Sequence, residues 1–77
     1  MKIIVDPASP AFPFVQVADA LRSMITTGEL GPRMPPMSEV AAAADVAVGT
    51  VQRAYKLLAD EGLITTVKGR GTFVVSR

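Results

Sequence analysis

The chain has 77 residues, enough for one domain whose thin core hides only roughly 60 to 65% of the surface exposed on unfolding. It contains neither cysteine nor histidine, which excludes disulfides, thiolate nucleophiles, Cys-based zinc sites and the commonest general base and metal ligand. Eight basic residues stand against seven acidic ones, a net charge of +1. No acidic pair is placed beside an activated nucleophile, so the reading is a binding module without cofactor or metal and not an enzyme.

The charge is unevenly spread. Gly49 to Arg77 hold five bases and two acids, hence +3, whereas the first 48 residues hold three bases and five acids, hence −2. A local cluster matters more than the total for nucleic-acid binding, because each neutralised phosphate releases counterions. No apolar run approaches the ~18 residues of a membrane span. Lys2, "IIV" and Asp6 are too short a set for a signal peptide, so a soluble, cytoplasmic protein is expected.

The first 13 residues form an expected extended arm. Ile3 to Val5 is β-prone, but Pro7, Pro10 and Pro13 lack amide donors and turn their predecessors away from helix. Helical periodicity starts at Phe14, with Phe14, Val17, Ala18, Leu21, Met24 and Ile25 on one face and Asp19, Arg22 and Ser23 on the other. Leu21 and Ile25 are expected in the core. The segment "GELGPRMPP" follows as a loop, broken by glycines and prolines. Its Pro32 to Pro35 spacing matches PxxP, a pattern common in ordinary turns, and Met34 and Met37 are expected to fill the gap beside it.

A short second helix is predicted over about Met37 to Ala44, and Asp45 and Val46 turn the chain. A third is predicted from about Val48 to Glu61, with Val51, Ala54, Tyr55 and Leu58 as its buried stripe. Gly62 supplies the left-handed stop, and Leu63 is expected to pack back on Leu58. "LITTV" and "TFVV" are rich in β-branched residues around "KGRG", which reads as a hairpin with Phe73 in the core. The fold class is therefore α+β, mostly α, a winged helix-turn-helix: three helices, the second and third joined by a tight turn, then a β-hairpin wing. The arm spans 1–13 and the domain 14–77.

Two features are candidates for binding. "KGRG" does not open a helix, so it does not suit a phosphate-cradling loop. It reads either as an ordinary surface turn or as a wing tip that sets Lys68 and Arg70 against a minor groove or its phosphates. On the third helix, Thr50, Gln52, Arg53 and Lys56 form a polar face. Such a face is often merely solvated, but its place between a helix-turn and a basic hairpin favours base and phosphate contacts.

These segments resemble the N-terminal DNA-binding domains of GntR-type bacterial transcription regulators. "ALRSMITTGEL" is similar to the family's first helix and its exit, "MPPMSEVA" to the start of its second helix, "VAVGTVQRA" to its recognition helix, and "LADEGLI" with "KGRGTFV" to its helix exit and wing. The resemblance runs from about Phe14 to Val75. It implies a sequence-specific regulator of transcription, expected to repress, that binds double-stranded DNA at an inverted-repeat operator as a homodimer. The third helix would enter the major groove and the wing tip the minor groove.

Carried over by position, the implied DNA-binding residues are Ser38, Val48, Gly49, Thr50, Gln52, Lys68 and Gly69, with Arg53, Lys56 and Arg70 added on charge and place. Ser38 and Val48 stand where the family often has arginines, and Gln52 where it has another base. No small-molecule effector site is visible. A stand-alone small regulator is the favoured organisation. The alternatives are the DNA-binding part of a longer effector-sensing regulator and a winged-helix protein-interaction module that no longer reads sequence.

Overall fold

The computed structural model describes residues 1–75. The last two positions of the expected 14–77 domain, Ser76 and Arg77, lie outside the described residues. In chain order the elements are α1 (Pro13–Thr26), α2 (Met37–Ala44), α3 (Val48–Asp60), β1 (Ile64–Val67) and β2 (Gly71–Val74). This is the expected winged helix-turn-helix. α1 starts at Pro13, one residue before the apolar periodicity, because proline suits a first helical turn, whose amides have no intrahelical partner.

α1 and α2 both pack on α3, which is the centre of the molecule. Val17, Ala18 and Leu21 of α1, Val40, Ala41 and Ala44 of α2, and Val51, Ala54, Tyr55 and Leu58 of α3 are all buried. The alanines let the three backbones approach closely. α2 ends at Asp45, whose left-handed conformation (φ 54°) turns the chain within three residues into α3. α3 ends as its sequence implies. The Gly62 amide (φ +79°) donates to the Ala59 carbonyl and that of Leu63 to the Leu58 carbonyl, while the Leu63 side chain packs against the core.

The arm is fastened rather than loose. Ile3 is buried and its amide donates to the Ala43 carbonyl at 3.2 Å, while Ile4 points outward and Val5 lies half-buried. Gln16 of α1 accepts from the Asp6 amide and donates to the carbonyls of Asp6 and Ala11.

β1 and β2 pair antiparallel, with Ile64 opposite Val74 and Thr65 opposite Phe73. A third stretch of backbone joins them. The Met34 amide donates to the Thr72 carbonyl at 2.8 Å, the Val74 amide donates to the Pro32 carbonyl at 2.7 Å, and Arg33 bridges to Phe73. The proline-rich loop thus serves as an edge for the hairpin. Phe73 departs from expectation: it is only half-buried and stands outside the core cluster. Side chains alternate along a strand. The Ile64–Val74 pair faces the helices, and so the Thr65–Phe73 pair faces outward. Ile25 is likewise half-buried, at the margin of the core.

Candidate nucleic-acid interface

The buried stripe of α3 fixes what its other side presents. At 100° per residue, Val48, Gln52, Lys56 and Gly49 fall within an arc of about 100° that starts beside Tyr55 and runs away from that stripe, and all four are exposed. Thr50 is half-buried and lies away from them around the helix, next to Leu57. Arg53 lies between, towards α1, with its guanidinium 4.8 Å from the centre of the Phe14 ring. This cation–π contact holds the side chain against the α1 flank of α3. Lys56 reaches Asp60 at 3.4 Å, but both side chains are well exposed. Such a pair is weak, so its ammonium can exchange one anion for another.

Ser38 is exposed on the first turn of α2, where no side chain caps the helix. Lys68, Gly69 and Arg70 form the exposed tip of the hairpin, closed by the Arg70 amide donating to the Val67 carbonyl at 2.9 Å. Gly69 has φ +78°, a left-handed conformation that glycine takes without strain. Three groups are therefore exposed on separate elements: Val48, Gly49, Gln52 and Lys56 on one face of α3, Ser38 on α2, and Lys68 to Arg70 at the wing tip. Arg53 is set apart on the α1 side.

Sequence reasoning passed over Arg33. Its guanidinium donates to the Arg70 carbonyl at 2.7 Å and sits 5.7 Å from the centre of the Phe73 ring. It also occupies the space beside Gly71, where an added Cβ would lie 3.0 Å from Nη2 and 3.2 Å from Nε. Arg33 thus pins the wing at its root and adds a third positive charge near Lys68 and Arg70. Among the described residues, none of these three cations has a carboxylate within ion-pair distance. A lone arginine among prolines gives no periodic signal, and only the pairing of residues 32–34 with β2 reveals its role.

Two carboxylates elsewhere share a single guanidinium. Arg22 binds Glu61 through Nε and Nη2 at 2.8 and 2.7 Å and Asp19 through Nη1 at 2.6 Å, joining α1 to the end of α3. The Glu61 and Asp19 hydrogen bonds hold the guanidinium still more firmly in its charged form.

Between the wing root and α3 runs a groove lined by Arg33, Met34, Pro36, Tyr55 and Thr72. The Tyr55 hydroxyl donates to the Pro35 carbonyl at 2.6 Å and closes its floor. No group of His, Cys, Asp and Glu able to hold a metal occurs among the described residues, and no helix there is long and apolar enough to cross a membrane.

Comparison with known proteins places this arrangement. Residues 13–74 match the family described as bacterial regulatory proteins, gntR family. The HTH-type transcriptional repressor NagR of Bacillus subtilis is 39% identical over 72 residues; the match takes in 91% of this chain but only 30% of NagR. Among solved structures, YtrA from Sulfolobus acidocaldarius, a GntR-family transcription factor, superposes with a TM-score of 0.86 at 35% identity, covering 100% of this chain and 83% of that one. The AraR DNA-binding domain, solved in complex with operator ORX1, superposes with a TM-score of 0.84 at 28% identity, covering 96% of each chain. With most of its length matched by the family and its fold shared by these structures, the chain belongs to the gntR family of bacterial regulatory proteins.

Proposed function

We propose that the chain binds double-stranded DNA sequence-specifically, without catalysis, and regulates transcription in the cytoplasm as a repressor. Residues 14–77 make up the DNA-binding unit, with the 1–13 arm packed on it. The observation that carries this reading is the exposed, uncharged start of α3 on the same small fold as a wing bearing Lys68, Arg70 and Arg33, none of them engaged by a carboxylate among the described residues. The operator-bound AraR domain, alike over nearly the whole chain, and the repressor NagR support it.

In this reading α3 lies in the major groove, where Val48, Gly49, Thr50 and Gln52 meet base edges and Ser38 and Lys56 meet the flanking backbone. Lys68, Gly69 and Arg70 approach the minor groove, and Arg53 serves a phosphate on the α1 side. Two copies bind as a homodimer on an inverted repeat, with half-sites about one helical turn apart, roughly 34 to 36 Å.

Selection from a random duplex pool with the purified chain at low salt tests the proposal. Enrichment of an inverted repeat is the expected outcome, with log affinity falling against log salt by about 0.9 per phosphate contact. A folded chain that enriches no sequence would overturn sequence reading and leave the winged fold as a protein-interaction module.

A further inference from the structure

Val48 is the first residue of α3, and it is 43% exposed. The other large apolar residues of that helix are buried or half-buried: Val51, Tyr55, Leu57 and Leu58 all pack inward. Ala47, the residue before the helix, is exposed and offers no side-chain cap. Gly49, the residue after, faces open space, with no atom within 4 Å of where a Cβ would stand. The leading end of α3 therefore presents methyl groups and bare backbone, and no side chain there can hydrogen-bond a base.

A single exposed valine has no meaning in itself. Its place gives it one, because the leading residues of a recognition helix are those that meet base edges. On the major-groove edge, guanine presents two acceptors, cytosine a donor, and adenine one of each; thymine presents one acceptor and, alone among the four, a methyl group beside it. A valine pressed against guanine, cytosine or adenine removes water from polar groups and returns no hydrogen bond. Against thymine it buries one methyl group with another. Arginine and lysine, the side chains that best read guanine, are absent from the first turn of the helix.

We infer that Val48 is a specificity-determining residue that selects thymine through its 5-methyl group at one position of each half-site. The inference rests on the DNA-binding reading above, and Gly49 serves it by leaving room for the helix end to come close to the base.

The test uses the operator recovered by selection. Each thymine of a half-site is replaced in turn by deoxyuridine, which keeps base pairing and removes only the methyl group. At one position the wild-type chain should bind about fourfold more weakly, the equivalent of ~0.8 kcal/mol for one buried carbon, and Val48→Ser should show no such step there. Because Val48 is on the surface, this variant keeps the fold, which circular dichroism checks. At the same position 5-methylcytosine should be preferred to cytosine by a similar factor. If the operator binds but no thymine-to-uridine change weakens it, methyl recognition is wrong while DNA binding stands. If no duplex is enriched at all, the DNA-binding reading fails and this inference with it.

Discussion

Tyr55 offers a perturbation that the molecule reports by itself. It is the only tyrosine in a chain without tryptophan, so the absorbance of tyrosinate follows this one ring. The ring is 4% exposed, and its hydroxyl donates to the Pro35 carbonyl at 2.6 Å, tying the middle of α3 to the segment that leads into α2. Burial first, and then the negative charge of Glu39, push the phenol up to about 12. In the unfolded chain it titrates near ~10. Between those values the unfolded chain gives up the proton while the folded chain keeps it, so alkali favours unfolding. The stabilisation is complete below about pH 10 and is lost as pH rises to about 12, a difference of roughly 2 to 3 kcal/mol. That is a large share of the ~5 kcal/mol at the low end of domain stabilities.

Replacing Tyr55 with phenylalanine should remove this part of the alkaline loss. At neutral pH it should cost about 1 kcal/mol, from the lost hydrogen bond and the stranded carbonyl. In a domain of this size that corresponds to a Tm lower by ~4 to 8 °C. The assay is an absorbance titration of the wild type beside thermal melts of both chains from neutral to strongly alkaline pH. A phenol that ionises near ~10 while the circular dichroism stays native would refute the burial argument. Equal melting of the two chains throughout would refute the hydrogen bond.

Gly71→Ala should destabilise by about 1 to 3 kcal/mol in chemical denaturation, because φ +116° is closed to alanine and the new methyl group displaces the Arg33 guanidinium; a neutral effect would show that Arg33 does not pin the wing. Phe73→Ala should cost about 1 to 2 kcal/mol, well below the ~2 to 5 kcal/mol expected for the fully buried Leu58→Ala, since Phe73 is half-buried on the outer face of the hairpin; equal losses by urea titration would return Phe73 to the core. Arg70→Ala should weaken binding to all duplexes alike and flatten the log affinity against log salt line by about 0.9 per protomer, and an unchanged slope would remove Arg70 from the phosphate contacts.

The helices were legible because their signals are local. Apolar spacing in α3 names the residues that are buried, and Gly62 marks a stop whose hydrogen bonds close as that residue type requires. The wing was legible as a hairpin, but the direction of its faces was not. Alternation in "TFVV" places Phe73 and Val74 on opposite sides without saying which side meets the helices. That choice follows from Ile64 opposite Val74, a tertiary fact. Pro32 to Met34 hid its pairing for a related reason. Prolines signal a loop correctly, yet the Pro32 carbonyl and the Met34 amide remain free to bind a strand edge. Ile3, Ile4 and Val5 are all apolar, so the sequence marks them as β-prone without saying which faces inward; their burial, in, out and half-in, follows from packing on the helices.

These same residues explain how a chain with so little net charge can be built for DNA. Phosphate attraction is indifferent to sequence, whereas base edges discriminate by hydrogen bonds and methyl groups. In the proposed reading the base-meeting start of α3 is kept free of charge, and the cations sit at the wing and, as Arg53 and Lys56, further along α3. The wing tip carries Lys68 and Arg70 with Arg33 at its root, while the start of α3 carries only Ala47, Val48 and Gly49 before Thr50 and Gln52. Charge at the wing would draw the domain to any duplex, and an uncharged reading end adds little to that indiscriminate affinity. Selectivity would then come from α3 by exclusion as much as by attraction. A cation there would strengthen binding everywhere, whereas a valine rejects each base edge whose polar groups it would strip of water. Salt should therefore weaken all duplexes together and leave the preference among them largely intact.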